Sequence, residues 1–267
     1  LDRTERPIGV FDSGIGGLSI LEALRAELPH EDFVYVADGA HAPYGERDDA
    51  YVTARAKAIT GYLTTTHHIK ALVVACNTAT AAAIEVLRQT HPGLPIVGVE
   101  PALKPAVAHS TTRRIAVLAT RGTLESARFR ALRASLATQA EFVCQACDGL
   151  ADAIERGYTP EIRALCAYYM PARDQFGLKI GQIDAVVLGC THYPFASIEL
   201  RELIGPEVQL IDNGAAVALQ TRRVVGELSK RGTPGHCLLF STGDGARLQQ
   251  AAHHWLGLKA LAQHVSI

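Results

Sequence analysis

Two cysteines in this chain each close a short apolar run. Ala71-Leu72-Val73-Val74-Ala75 leads into Cys76-Asn77-Thr78, and Ala185-Val186-Val187-Leu188-Gly189 leads into Cys190-Thr191-His192. Both runs are valine-rich and wholly apolar, the pattern of a parallel strand buried on both faces. A helical pattern follows each. Strand ends that open onto helix starts form the ligand crevice of open α/β sheets. A thiol there sits in the partial positive field that favours thiolate. One such cysteine suggests a nucleophile. Two, on matching elements, suggest an acid and a base on opposite sides of one substrate.

Other candidates fall at the same kind of position. Asp12-Ser13-Gly14-Ile15-Gly16-Gly17 joins the first expected strand to the first helix. A dinucleotide loop is disfavoured, because Ser19 stands where the third glycine belongs and Asp12 would set a carboxylate beside a pyrophosphate. Two readings stay open. One is a tight structural turn with Asp12 as a helix-start charge. In the other, Asp12 holds an ammonium group or a thiol while Ser13 and free N–H groups bind an anion. Pro43-Tyr44-Gly45 reads as a surface turn or as backbone N–H groups for a carboxylate. Asn77, Thr78 and Thr191 are helix caps by type, a role compatible with ligand binding. His192 is either structural or an acid that tunes Cys190. Asp212-Asn213-Gly214 reads as a structural turn, with Asn213 capping the helix after it.

Alternating strand and helix patterns supply the frame. Strands are expected over residues 7–12, 33–37, 72–75, 96–99, 115–119, 142–145, 185–188, 210–212 and 237–241. Helices are expected over 18–28, 48–65, 80–88, 123–136, 197–203, 214–228 and 246–255, with two more inside 150–176, the second broken at Pro171. That order predicts parallel sheets with helices on both faces. The pattern restarts: Ile8-Gly9-Val10-Phe11-Asp12-Ser13-Gly14 parallels Ile115-Ala116-Val117-Leu118-Ala119-Thr120-Arg121, and the two cysteines keep a similar offset. The expectation is two α/β lobes of one plan facing each other across a cleft. Residues 1–98 with 210–267 form the first, and residues 99–209 the second.

Composition narrows the function classes. A net charge of −1 gives no bulk attraction to nucleic acid or anionic membrane. No apolar run approaches the roughly 20 residues that span a bilayer. No secretory signal pattern opens the chain, so a cytoplasmic protein is expected. The chain begins at Leu1, a few residues before its first expected strand, which leaves little room for an N-terminal regulatory segment. Cys76, Cys144, Cys147, Cys166, Cys190 and Cys237 are expected as free thiols. The C-x-x-C pair Cys144 and Cys147 has no second pair to complete a zinc site, and packing accounts for it. His67-His68 lacks metal-ligand spacing. None of Lys57, Lys70, Lys104, Lys179, Lys230 and Lys259 sits in a strand-end constellation, so no anchor for a pyridoxal cofactor is evident. Neither cofactor nor metal is expected.

Together, Val10-Phe11-Asp12-Ser13-Gly14-Ile15-Gly16-Gly17-Leu18, Pro43-Tyr44-Gly45, Ala75-Cys76-Asn77-Thr78-Ala79 and Gly189-Cys190-Thr191-His192-Tyr193-Pro194 closely resemble the glutamate racemases of the aspartate/glutamate racemase group. The motifs run in that family's order from residue 8 to about residue 215, where Leu210-Ile211-Asp212-Asn213-Gly214 is also similar. The strings are specific together and weak singly. The resemblance implies two flavodoxin-like lobes with the active site between them. It implies interconversion of L- and D-glutamate without a cofactor, supplying D-glutamate for peptidoglycan, by a homodimer. Carried over position by position, Cys76 and Cys190 are the catalytic bases, Asp12 assists Cys76, and His192 with Glu155 assists Cys190. Ser13, Tyr44, Gly45, Asn77, Thr78, Thr191 and His192 line the substrate site with Asp12. Asp38-Gly39-Ala40-His41-Ala42 departs from the family's approach to Pro-Tyr-Gly, and residues 175–182 look longer than usual. An aspartate or hydantoin racemase on the same scaffold is the alternative. A non-catalytic amino-acid-binding regulator is a further one, though binding alone needs neither cysteine.

Overall fold

The computed structural model describes residues 3–229 and 231–267. Among them, ten strands form two sheets in which every pairing is parallel. The first sheet has the order β10 (Ala262–His264), β9 (Cys237–Ser241), β2 (Phe33–Ala37), β1 (Ile8–Asp12), β3 (Ala71–Val74), β4 (Ile96–Gly98). The second has the order β6 (Glu141–Ala146), β5 (Arg114–Ala119), β7 (Ala185–Gly189), β8 (Gln209–Ile211). Both contain the 2-1-3-4 succession of doubly wound α/β folds. No helix among the described residues is long and apolar enough to cross a membrane.

The central strands carry apolar side chains at successive positions because both faces of each sheet are covered. Alternation along a strand then sends neighbouring residues into different cores. In β1 and β3, Ile8, Val10, Ala71 and Val73 face α1 (Leu18–Glu27) and α10 (Gly214–Val225). Phe11, Leu72 and Val74 face α2 (Asp49–Thr66) and α3 (Asn77–Thr90) on the other side. The second sheet repeats the plan. Ala116, Leu118, Val186 and Leu188 pack with α7 (Leu150–Arg156), α8 (Thr159–Tyr169) and α9 (Ser197–Ile204). Ile115, Val117, Ala185 and Val187 pack with α4 (Leu103–His109) and α6 (Ala127–Ser135).

The internal repeat is visible in strand register. Ile8 pairs with Ala71 and Ile115 pairs with Ala185. Cys76 and Cys190 lie the same number of residues beyond those partners, so the two thiols occupy equivalent positions in the two lobes.

Several boundaries differ from the sequence reading, each for a local reason. Helix α3 begins at Asn77 rather than near residue 80, because Cys76 itself is the N-cap, its sulfur accepting from Ala79 N at 3.4 Å. The helix expected over 123–136 is two, α5 (Arg121–Glu125) and α6. Ser126 turns extended between them and caps α6 through Phe129 N. Helix α4, with Pro105 in its first turn, where a missing N–H costs nothing, had no clear periodic signal, nor had the three-residue β10. Helix α8 stops before Pro171, as a residue preceding proline disfavours the helical region. Strands β9 and β10 join the first sheet, while all of β8, including Leu210 and Ile211, pairs with β7 in the second.

Candidate active site

In each lobe the two central strands are followed by helices on opposite faces. After β1 and β3 the chain passes to α1 and α3, which pack in different cores. After β5 and β7 it passes to α6 and α9, again in different cores. The crevices this creates lie at the carboxyl ends of these strands. Asp12 ends β1, Cys76 follows β3, Thr120 follows β5 and Cys190 follows β7. Cys76 and Cys190 are each 5% exposed and Asp12 is fully buried, so the chemistry-bearing groups meet in a water-poor space.

Each thiol has its own partner. The Asp12 carboxylate accepts from Ser13 N at 2.6 Å and from Thr191 Oγ1, across the cleft, at 3.1 Å, and it also engages the Cys76 thiol. Burial pushes the Asp12 carboxyl above the usual carboxylate range, although the His192 charge and these hydrogen bonds pull against it. Burial and the neighbouring Asp12 charge hold the Cys76 thiol well above its ordinary value, against the Ala79 N–H. Cys76 is therefore kept as S–H, donating toward Asp12.

Cys190 has a different neighbour. His192 Nδ1 lies 3.8 Å from its sulfur, and His192 Nε2 lies 2.8 Å from Glu155 Oε2. Burial alone would favour the neutral ring. The hydrogen bonds to Cys190 and Glu155 and the Asp12 charge outweigh it, and the imidazole is held protonated well above the ordinary histidine range. Both ring nitrogens then donate. The helix-start field expected at Cys190 is weak. The residues after it form a 3₁₀ turn, Tyr193–Ala196, and α9 begins only at Ser197. An imidazolium supplies the positive charge instead.

Glu155 also accepts from Ile15 N at 2.8 Å, so it ties α7 of the second lobe to the glycine loop of the first. This explains the glycines. None of Gly14, Gly16 and Gly17 has positive φ. A Cβ on Gly14 would collide with the Glu155 carboxylate, and one on Gly16 with the His192 ring. A Cβ on Gly17 would meet Asp12 Cβ at 2.7 Å and Tyr35 Oη at 2.8 Å. The loop is glycine-rich because catalytic-type side chains press against its backbone. Gly16→Ala is expected to lower turnover about a hundredfold, the scale of a misplacement near 1 Å. It should also cost roughly 1–3 kcal/mol from overpacking. Parallel turnover and thermal-melting measurements test this, and unchanged turnover would show that the ring is not fixed by the loop.

The remaining candidates divide. Ser13 and Thr191 meet at Asp12. Thr78 Oγ1 lies 3.1 Å from Thr120 Oγ1 across the lobe junction, and a Cβ on Gly45 would meet Thr120 Cγ2 at 2.9 Å. The Tyr44 hydroxyl stands within electrostatic range of Cys76 but is committed elsewhere. It donates to buried Asp38 at 2.5 Å, which also holds Arg55 through two hydrogen bonds and accepts from Thr242. Asn77 turns its amide to Val99 O at 3.4 Å. Asn213 holds the N-cap position expected of it, but its side chain makes no capping bond, and Asp212 Oδ1 accepts from Gly214 N instead. Lys70 is committed to a buried ion pair with Glu31, and Lys230 lies outside the described residues. Thr120, Ser19 and Asp38 were missed as contributors. Thr120 was legible in principle, since it aligns with Ser13 in the internal repeat. Ser19 Oγ donates to Thr191 O at 2.9 Å, a contact no spacing reveals.

Comparison with known proteins identifies the family. Residues 18–221 match the family model for Asp/Glu/Hydantoin racemase. A glutamate racemase from Cupriavidus pinatubonensis is 45% identical over 266 residues, covering 98% of this chain and 95% of that protein. A glutamate racemase from Bacillus anthracis superposes with a TM-score of 0.86 at 27% identity, covering 99% of this chain and 98% of the other. An Escherichia coli glutamate racemase, solved with L-glutamate and the activator UDP-MurNAc-Ala, gives a TM-score of 0.82 at 27% identity over 98% of both chains. On this evidence the chain belongs to the Asp/Glu/Hydantoin racemase family and is an amino-acid racemase, an isomerase.

Proposed function

We propose that this protein interconverts L- and D-glutamate by a two-base proton transfer between Cys76 and Cys190, without a cofactor, and so supplies D-glutamate for peptidoglycan precursors. The observation that carries the reading is the pair of thiols at equivalent strand ends, each with a partner of different charge. The E. coli relative bound to L-glutamate supports the substrate.

In the L-to-D direction the Cys190 thiolate removes the α-proton and becomes a thiol. The C–H electron pair stays on the α-carbon, delocalised into the carboxylate. The Cys76 S–H then delivers its proton to the opposite face and leaves a thiolate, so the configuration inverts with no net redox change. The reverse direction exchanges the roles. His192, held protonated by Glu155, sets a cation beside the Cys190 sulfur, the setting in which a thiol serves as a base. Asp12, buried beside Cys76, keeps a proton on that sulfur until the carbanion needs it. Backbone N–H groups near Ser13 and Gly45, with the Thr78 and Thr120 hydroxyls, are the donors for the substrate carboxylates, while the Ser13 and Thr191 hydroxyls hold Asp12. In a water-poor site such preorganised donors stabilise developing negative charge far more than water does.

The test is circular dichroism decay of L- and D-glutamate with chelator and hydroxylamine present. Racemisation from both enantiomers is expected. Complete inhibition by hydroxylamine would overturn the cofactor-free claim. Turnover of aspartate with none of glutamate would overturn the substrate.

A further inference from the structure

Among the described residues, two buried side-chain polar atoms have no protein hydrogen-bond partner, and one of them is Asn213 Oδ1. Asn213 is 3% exposed. Its amide orientation is set by its other end: Nδ2 donates to Leu188 O on β7 at 3.3 Å, and a flipped amide would set two oxygens against each other there. Leaving a buried acceptor unpaired is costly, so such an atom calls for a donor.

The donor has room. Asn213 walls a small recess of about 10 Å³ together with Cys190, Thr191, Pro194, Ser19 and Asp212, the space of about one water molecule. Several of the protein groups around it are already engaged. Ser19 Oγ donates to Gly16 O and Thr191 O, and Asp212 Oδ1 accepts from Gly214 N. The second Asp212 oxygen and the Cys190 sulfur remain able to use a water, and the sulfur is the one that must change protonation state. On its far side Asn213 also borders a groove of about 200 Å³ at the lobe junction, lined by Val97, Pro101, Lys104 and Gln220.

We propose that Asn213 is a positioning residue for Cys190, acting through a single water in this cavity that donates one hydrogen bond to Asn213 Oδ1 and the other to the Cys190 sulfur. The proposal rests on the reading of Cys190 as a reacting thiol. The water suits both states of that thiol. It donates to the thiolate, and it accepts from the S–H after the proton has been taken, turning about its anchor on Asn213. A protein amide placed directly on the sulfur could not reverse its role in this way. His192 approaches the same sulfur through Nδ1, so the thiolate receives two donors from different directions.

The prediction concerns Cys190 alone. His192, Cys76, Cys147 and Tyr193 interact with it electrostatically, and Asp212 shares its cavity. Asn213→Ala leaves all of these in place. Alkylation by iodoacetamide, mapped to each cysteine by peptide mass across a pH series, reads the thiolate directly. In Asn213→Ala the Cys190 curve is expected to move up by about one pH unit, a roughly tenfold slower reaction on its rising limb. The Cys76 curve should stay where it is, and kcat for glutamate should fall about tenfold with KM unchanged. Asn213→Ser, which keeps an acceptor able to hold a water, should recover part of the shift. A high-resolution crystal structure of the unaltered protein should show a water within hydrogen-bond distance of both Asn213 Oδ1 and Cys190 Sγ. A cavity without that water, or a water only in the junction groove, overturns the proposal. So does an unmoved Cys190 curve in a variant whose only change is a lower melting temperature. If the alanine variant fails to fold, the crystal and the serine variant decide. Full racemisation by Cys190→Ala would instead sink the underlying role of Cys190, an outcome distinct from any of these.

Discussion

Cys76→Ala and Cys190→Ala are each expected to lose racemisation by roughly 10²–10⁴-fold, the range over which a positioned proton-transfer group acts. Every turnover needs one sulfur as base and the other as acid, so either loss stops the full reaction. The informative substrate is one with a chloride on the β-carbon. Removal of its α-proton expels chloride and needs only the first base. Each single variant should therefore keep elimination from one enantiomer and lose it from the other, and the pairing should reverse between the two variants. The charges around the two sulfurs differ. Cys76 is held as a thiol by burial and Asp12, while Cys190 stands beside an imidazolium. Which enantiomer each serves follows from the face it meets, and the resemblance to glutamate racemases implies Cys190 for the L form and Cys76 for the D form. If both variants lost the same enantiomer, a single mobile base would be favoured, and the matched strand-end geometry would need another explanation.

What the sequence made legible was the part encoded by short-range pattern. An apolar run that fills both faces of a sheet names its own strand, and the first polar residue after it marks the strand end. Cys76, Cys190 and Asp12 could be placed on that ground. Repetition of the pattern indicated the two lobes. What stayed hidden was set by contacts between distant segments. The glycine loop looked like a turn or an anion cradle, yet its composition answers to Glu155 and His192 from the other lobe. Asp38 lay in a segment read as plain loop, but it is the buried anchor of Tyr44, Arg55 and Thr242. Burial raises the cost of its charge, and the Arg55 and Tyr44 hydrogen bonds more than offset this, holding its carboxyl below the usual range. Residues 17 apart in one case and 204 in another give no periodic signal. Asn213 stands at the cap position its type suggests, and only the structure shows that its neighbour Asp212 makes the bond there.

Glu155→Gln should separate the charge of Glu155 from its geometry. The amide oxygen can still accept from Ile15 N, so the tie between the lobes persists, but the negative charge beside His192 Nε2 is gone. Burial, which opposes the imidazolium, is then less strongly countered, and the titration of His192 moves down. The ring then holds its charge over a narrower pH range, and the cation beside Cys190 is weakened. Turnover is expected to fall about a hundredfold, within the range for such groups, and the basic limb of the pH–rate profile should move to lower pH. Stability must follow the same linkage. A group whose native value is raised stabilises the fold fully below its unfolded value, about 6.5 for histidine, and loses that contribution as pH rises through the native value. The melting temperature of the unaltered protein should therefore exceed that of Glu155→Gln most clearly near about pH 6, and the gap should narrow toward alkaline pH. Glu155→Asp keeps the charge on a shorter arm, so it should retain more of the pH profile than of the Ile15 contact. A Glu155→Gln variant with an unmoved basic limb and a melting gap independent of pH would mean that the pair is only a structural clamp. The charge that readies Cys190 would then have to come from elsewhere in the cleft.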